Sequence, residues 1–286
     1  MIKPCIAKRE VTTHILKSFG IHASKKLGQN FLVDESIVRQ IVDAAGVTPA
    51  DTVLEIGPGI GTLTQGLAEA RAEVVAVELD RRLVEVLSKT LAGYDNVRIV
   101  QGDILKLNIA QEIPKKGFKV VANLPYYITT PIIMNLLEQR LPIECLVTMV
   151  QKEVAERMVA RPGGKDYGAL SVAVQYYTIP EIIFCVPPKS FLPAPAVESA
   201  IIRCTLRTES PVKIISEKTF FRVVRAAFAQ RRKTLANGLK AAGIAPAAVA
   251  NILEEAGIDA LRRGETLSLD EFAAVANAWE KYHTGQ

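Results

Sequence analysis

Histidine, cysteine and tryptophan are scarce in this chain, with three, four and one copies in 286 residues, and that scarcity removes several chemistries. His14, His22 and His283 stand outside every motif, so a histidine-based triad or an imidazole metal site has no foundation. Cys5, Cys145, Cys185 and Cys204 show no CxxC spacing and no neighbouring histidine cluster, which argues against zinc and against a disulfide framework. Reduced thiols are expected, with Cys145, Cys185 and Cys204 in apolar surroundings. No apolar run reaches transmembrane length, and the start, with Lys3, Lys8 and Arg9, has no apolar block of signal-peptide type behind it. The expectation is a cytoplasmic, metal-free protein with no membrane association. Internal repeats and low-complexity segments are missing as well. Arg161-Pro162-Gly163-Gly164-Lys165-Asp166-Tyr167 is no Walker loop, because Asp166 follows the lysine where Ser or Thr is needed; it reads as a basic turn.

What is present is a globular composition. At 49% hydrophobic the chain can bury a substantial core, enough for one large domain with an appendage or two modest ones. Short β-branched runs alternate with helical patterns, as in a parallel sheet wrapped by helices. Strands are predicted at Thr52–Ile56, Glu73–Glu78, Val97–Gln101, 118–122, 144–150, 181–186 and 200–206, and helices at 63–70, 81–91, 131–139 and 152–160. Thr130-Pro131 reads as an N-cap with proline at the first helical position. Only the proline-rich stretch 187–195 separates the last two strands, too short for a crossover helix, so an antiparallel edge hairpin is expected. Beyond Thr208 the sequence becomes alanine-rich and helical, with helices predicted at 217–229, 232–242, 246–256 and 269–282. The predicted organisation is an N-terminal extension over 1–23, an α/β Rossmann-like domain over 24–208 and a small all-helical domain over 209–286.

The first long strand runs into Gly57-Pro58-Gly59-Ile60-Gly61-Thr62, a glycine loop at a strand-to-helix junction where the backbone can approach a nucleoside closely. The dinucleotide fingerprint GxGxxG fails here, because Thr62 takes the last position and Gly61 falls one residue early. A pyrophosphate favours helix-end amides and cations, whereas Glu55 and the later acids make this crevice negative. A cationic sulfonium suits it better. Glu78 ends the second strand, 21 positions after Gly57, the spacing at which a carboxylate accepts ribose hydroxyls. Asp103 follows the third strand, placed to accept from an adenine amino group while Ile104 covers a ring face. Either acid alone is more often a surface or capping residue; successive strand ends yielding a glycine loop, Glu78 and Asp103 point to S-adenosylmethionine.

Asn123-Leu124-Pro125-Tyr126 ends the fourth strand. A neutral amide, a carbonyl before proline and an aromatic ring suit a flat base bearing an exocyclic amine. Two acceptors gripping its N–H groups would favour a pyramidal nitrogen and aim its lone pair at an electrophilic methyl. Alone, the tetrapeptide serves equally as a tight turn, with Pro fixing φ and Asn bonding its own backbone.

With these elements the chain resembles the class I methyltransferase fold. Lys26-Leu27-Gly28-Gln29-Asn30-Phe31-Leu32 and Phe191-Leu192-Pro193-Ala194-Pro195-Ala196-Val197-Glu198-Ser199 are similar to the ribosomal RNA adenine dimethylase family, most closely its bacterial small-subunit members, over roughly 13–282. The resemblance implies that Asn30 and the Leu32 backbone contact the methionine end of the cofactor, with Gln29 nearby. It implies that Gly57 lies against the nucleoside, Glu78 takes the ribose, Asp103 reads the cofactor adenine and Asn123 stands between methyl and amine, with the Leu124 carbonyl beside it. Tyr126 and Phe191 would sandwich a flipped target base. Stacking worth about 1–3 kcal/mol per base offsets much of the extrusion cost. Phe191 reads equally as a core aromatic anchoring the proline-rich loop. Tyr127 stands where many relatives have Asn.

The net charge is +5 and the pI near 9.0, which permits a polyanionic partner. Lys218, Arg222, Arg225, Arg231, Arg232, Lys233 and Lys240 fall within 218–253 with no Asp or Glu among them. Such a run commonly marks a solvated helix face, yet its one-sidedness favours phosphate contact, and Lys25 and Lys26 extend the same basic character. The resemblance implies an enzyme that dimethylates N6 of two adjacent adenosines in a hairpin loop near the 3′ end of 16S rRNA; a monomer acting on an immature 30S particle is expected, with naked rRNA as the other substrate form left open. Two alternatives stay open: a large-subunit (23S) rRNA adenine methylase of the antibiotic-resistance type, and an assembly-checkpoint protein whose methylation is secondary. A nicotinamide oxidoreductase would need a hydride-transfer site that the sequence lacks.

Overall fold

A computed structural model describes residues 4–24, 28–230 and 232–284 and gathers the predicted strands into one seven-stranded sheet. After α1 (Arg9–Ser18), the two-residue strand β1 (Phe31–Leu32) and α2 (Glu35–Ala44), the chain enters β2 (Thr52–Ile56), buried along its whole length. A strand paired in parallel on both sides and covered on both faces requires such a run. Next come α3 (Thr62–Glu69), β3 (Glu73–Glu78), α4 (Arg81–Thr90) and β4 (Val97–Gln101), each strand parallel to the one before. Past α5 (Ile109–Glu112) the chain crosses to the other side of β2, where β5 (Phe118–Asn123), α6 (Thr129–Glu138) and β6 (Ile143–Gln151) continue the parallel sheet. Strand order thus reverses about β2, and the carboxyl ends of strands at such a point open a ligand crevice.

Past α7 (Lys152–Val159) and α8 (Ala169–Tyr177) come β7 (Thr178–Val186), β8 (Phe191–Leu192) and β9 (Ser199–Leu206). The sheet order is β4-β3-β2-β5-β6-β9-β7. β9 is antiparallel to β6, from Cys145↔Thr205 to Gln151↔Ser199. The Arg203 guanidinium donates to Glu181 (2.7 Å) and the Arg207 N–H to the Tyr177 carbonyl (2.9 Å), so one strand advances as the other retreats: the edge hairpin is present. β1 and β8 form a separate antiparallel pair, Phe31↔Leu192 and Leu32↔Phe191.

Of the helices at the strand ends, α2 and α4 start on side-chain caps. Asp34 accepts from the Ser36 N–H (3.1 Å) to open α2, and Asp80 from the Arg82 N–H (3.0 Å) to open α4. α6 departs from its expected start. It begins at Thr129 after Ile128, not at a Thr130 cap, because Tyr126–Ile128 forms a 3-10 turn running directly into it. Pro131 then sits in the first turn, where its missing N–H has no intrahelical partner to lose. Four helices, α1, α2, α5 and α8, are not among those the sequence predicts. α2 carries the needed signal, a cap at Asp34 and buried Ile37, Val38 and Ile41. α8 does not: seven of its nine residues are buried, so no polar face marks a helical period.

The chain divides into two compact units, Met1–Ala155 with Pro180–Leu206, and Glu156–Ile179 with Arg207–Gln286. The sequence predicts one boundary near Thr208; by compactness the segment 156–179, with α8, groups with the C-terminal helices, and the described part of the N-terminal extension, 4–23, belongs to the sheet-bearing unit, where Ile6 and Ala7 are buried. The second unit comprises α8, α9 (Glu217–Phe228), α10 (Leu235–Ala241), α11 (Pro246–Glu255) and α12 (Leu269–Thr284). Tyr176, Tyr177, Phe220 and Phe221 form an aromatic cluster there, and both tyrosine hydroxyls donate to Glu217. The basic segment 161–167 is a turn whose Gly163 N–H donates to the Glu265 carbonyl (2.7 Å) and whose Tyr167 ring is buried edge-on to Phe228. Among the described residues no helix is long and apolar enough to cross a membrane, and no cluster of His, Cys, Asp or Glu could hold a metal ion.

The α9–α10 contact is tight at Gly238, where a Cβ would lie 2.5 Å from the Ala226 carbonyl oxygen. Backbone cannot yield as a side chain tip does, so Gly238→Ala should destabilise this unit by about 1–3 kcal/mol despite its better helix propensity. The check is urea unfolding followed by the fluorescence of Trp279, the sole tryptophan, buried on α12.

Candidate active site

The glycine loop leaves β2 through Gly57, Gly59 and Gly61, with φ of 69°, 63° and 95°. Side chains are strained at these angles, and a Cβ on Gly59 would also meet the Phe31 ring at 3.5 Å. The Gly59 N–H donates to Glu78 Oε2 (3.1 Å) and the Asp80 N–H to Glu78 Oε1 (2.9 Å). Two backbone donors thus fix this buried carboxylate at the end of β3, each oxygen keeping a second lone pair for a hydroxyl. Burial outweighs these bonds and raises its pKa.

Asn123 ends β5 on the opposite wall. Its Nδ2 donates to the Asn30 carbonyl (3.3 Å), and Asn30 Nδ2 donates in turn to the Gly28 carbonyl (3.2 Å). With its nitrogen engaged this way, the Asn123 carboxamide keeps Oδ1 as an acceptor. In the turn that follows, the Pro125 carbonyl already accepts from the Thr129 hydroxyl (3.0 Å) and the Ile128 N–H (3.1 Å), while the Leu124 N–H is tied to the Met149 carbonyl (3.1 Å). Tyr126 is held by a hydroxyl–hydroxyl bond to buried Ser199 (2.6 Å), and burial raises its pKa.

One cavity collects these groups. Asn30, Leu32, Gly57, Glu78, Asp103, Asn123, Leu124 and Tyr126 all line it. Among the described residues its charged lining is Glu55, Glu78, Asp80 and Asp103, with no Lys, Arg or His. Asp103 also receives the Leu105 N–H (3.1 Å) and faces Lys106 at 3.6 Å. Glu55 is 1% exposed; burial, reinforced by the Glu78 charge, pushes its pKa up to about 8. This lining rejects anions and receives cations.

Phe191, expected as the second face of a base clamp, is not brought to the cavity. It is 1% exposed in the apolar core, paired across the β1–β8 ladder with Leu32. The aromatic that does reach the mouth is Tyr127, 55% exposed, with its ring 3.4 Å from where a Gly28 Cβ would stand. Leu79, Asp80 and Leu83 also line the cavity and escaped the sequence reading. Asp80 had a readable signal, a cap residue two after Glu78; Leu79, 53% exposed, had none. Lys25, Lys26 and Arg231, expected to face a nucleic acid, lie outside the described residues. In the helical unit Lys218, Arg225, Arg232, Lys233 and Lys240 are exposed. Arg222 is employed internally, stacked 4.5 Å over the Trp279 ring and donating to the Ala242 carbonyl (3.3 Å).

Comparison with known proteins gives a consistent picture. The family described as ribosomal RNA adenine dimethylase matches residues 20–279. A curated relative from Geobacillus thermodenitrificans, named ribosomal RNA small subunit methyltransferase A, is 51% identical over 93% of this chain and 94% of its own length. Among solved structures, a dimethyladenosine transferase from Plasmodium falciparum superposes with a TM-score of 0.75 at 27% identity, covering 89% of this chain and 98% of that one. The 23S rRNA methyltransferase ErmE superposes with a TM-score of 0.66 at 29% identity, covering 88% and 100%.

The Tyr126–Ser199 bond can be isolated. Tyr126→Phe strands a fully buried hydroxyl and should cost about 1–3 kcal/mol, whereas Tyr126→Phe with Ser199→Ala should cost less than the sum of the single changes. Urea unfolding of the four proteins, followed by circular dichroism, measures the coupling.

Proposed function

Because this chain belongs to the ribosomal RNA adenine dimethylase family, we propose that it methylates the exocyclic N6 of adenosines in small-subunit rRNA, with S-adenosylmethionine as donor. The enzyme is a methyltransferase of class I architecture. The observation that carries the specific reading is the Asn123 carboxamide, whose nitrogen donates to the Asn30 carbonyl so that Oδ1 remains an acceptor at a cavity whose charged lining, among the described residues, is acidic.

The residues present fit the cofactor. Four carboxylates line the cavity with no Lys, Arg or His among the described lining residues, and although Arg82 pairs with Asp80 and Lys106 faces Asp103 from outside, the acidic lining suits a sulfonium nucleoside better than a phosphorylated one. In this reading Glu78 holds the ribose, Asp103 the adenine, Gly57 the nucleoside face, and Asn30 with the Leu32 backbone the methionine end. When bound, the cofactor supplies an electrophilic methyl. The chain's own work is on the amine: Asn123 Oδ1 and the Leu124 carbonyl accept its two N–H bonds, while the Tyr126 ring, fixed by Ser199, holds the base plane. Each acceptor withdraws the amine's hydrogens from the ring plane and frees its lone pair. No basic side chain is needed, because the nitrogen becomes acidic on methylation and releases its proton to water. Positioning therefore supplies most of the catalysis. Phe191 contributes indirectly, fixing Leu32 through the β1–β8 ladder.

The curated relative, by its name a small-subunit enzyme, shares about half of its residues with this chain, against 29% for ErmE, which favours the small subunit over 23S rRNA. Two adjacent adenosines in a hairpin near the 3′ end of 16S rRNA, within an immature 30S particle in the cytoplasm, are the proposed target. The exposed cations of the helical unit suit phosphate contact, and binding should weaken steeply with salt.

Labelled S-adenosylmethionine offered with naked 16S rRNA, immature small subunits and large subunits, followed by nucleoside analysis, tests the reading. Dimethyladenosine confined to small-subunit RNA is expected, and label in 23S rRNA would overturn the assignment. Asn123→Ala should lower turnover by about 10²–10³-fold, the scale for removing one aimed hydrogen-bonding group, with an unchanged circular dichroism spectrum.

A further inference from the structure

Glu55 is left over from the scheme above. Its side chain lines the cavity yet is buried within the sheet, and its Oε2 has no hydrogen-bond partner. A buried carboxylate with an unsatisfied oxygen is costly when ionised and far less so when protonated. Among the described residues, the elements around it offer no cation. On β3, its register neighbour is Ala76 and the charge that acts on it is Glu78; on β5 it pairs with Val121; α3 brings the uncharged Thr64, whose hydroxyl and backbone N–H favour the ionised form but are outweighed by burial. The remaining titratable groups of the lining are Asp80, Asp103, Tyr126 and Tyr127, and none adds positive charge.

We propose that Glu55 is a proton-linked charge sensor for the cofactor: protonated in the free enzyme at neutral pH, it ionises when the sulfonium enters and takes its proton back when methyl transfer leaves a neutral thioether. The proposal rests on the S-adenosylmethionine reading above. Its chemistry balances simply, since the Glu55 carboxyl gives one proton to solvent as the cation arrives and regains it as the cation is lost. The consequence is discrimination between donor and spent product by charge alone. A carboxylate adjacent to the sulfonium strengthens binding, whereas a neutral carboxylic acid beside the thioether costs nothing, so product is neither trapped nor mistaken for donor. A titration point near 8 places this exchange in the physiological range.

Isothermal calorimetry at pH 7 in two buffers of different ionisation enthalpy counts the protons released on binding. A group titrating near 8 is about nine-tenths protonated at pH 7, so release approaching 0.9 proton per site is expected for S-adenosylmethionine, and much less for S-adenosylhomocysteine. Because the cofactor's own amino group titrates nearby, the quantity assigned to Glu55 is the wild-type count minus that of Glu55→Gln. In the wild type alone, the preference for S-adenosylmethionine over S-adenosylhomocysteine should rise by up to about tenfold per pH unit from 6 to 8. An unchanged proton count in the Gln variant, or a preference flat with pH, overturns the proposal and leaves the functional reading standing. Failure of either compound to bind the wild-type enzyme overturns both.

Discussion

A single hydrogen bond, from Asn123 Nδ2 to the Asn30 carbonyl, decides what the cavity can do. A carboxamide presents a donor and an acceptor of nearly the same size, and a base amine can use only the acceptor. Tying down the nitrogen resolves that ambiguity before any ligand arrives. The rest of the sheet-bearing unit can be understood as support for this bond. β5 ends at Asn123, and the loop before β1 brings the Asn30 carbonyl to it. The ladder between β1 and β8 holds that loop, and Pro125 has both of its carbonyl contacts satisfied within its own turn.

Electrostatics complete the selection. The acids at successive strand ends carry no basic counterpart among the described lining residues, a charge pattern that favours a cationic ligand over an anionic one. Glu78 and Glu55 show how differently two buried carboxylates can be treated. Glu78 is gripped by two backbone N–H groups, while Glu55 keeps an oxygen with no partner. The first is held by the backbone at both oxygens; the second is not.

Much of this was legible because function sits at strand ends, where the sequence is punctuated. The glycine loop, Glu78, Asp103 and Asn123 each follow an apolar run, and the structure brings all of them to one cavity. Burial was harder to read. Phe191 beside prolines looks the same in sequence whether it covers a ligand or fills the core, and only the pairing of Leu32 with it settles its place. α8 escaped because a helix buried on nearly every side shows no polar stripe, and with it went the interrupted course of the second unit. Arg222 illustrates the limit of counting charges: it belongs to the basic run, yet its guanidinium is spent on Trp279 and a helix-end carbonyl.

The pairing of Phe31–Leu32 with Phe191–Leu192 joins segments near opposite ends of the sheet-bearing unit. Contacts so distant along the chain form late, since a long loop must close before they yield anything. During synthesis the nucleoside-side loop and β2 can settle against β3 early, but Asn30 lacks its lateral support until residue 192 has left the ribosome. The segment that carries Asn30 thus takes its lateral partner from a stretch about 160 residues further along the chain.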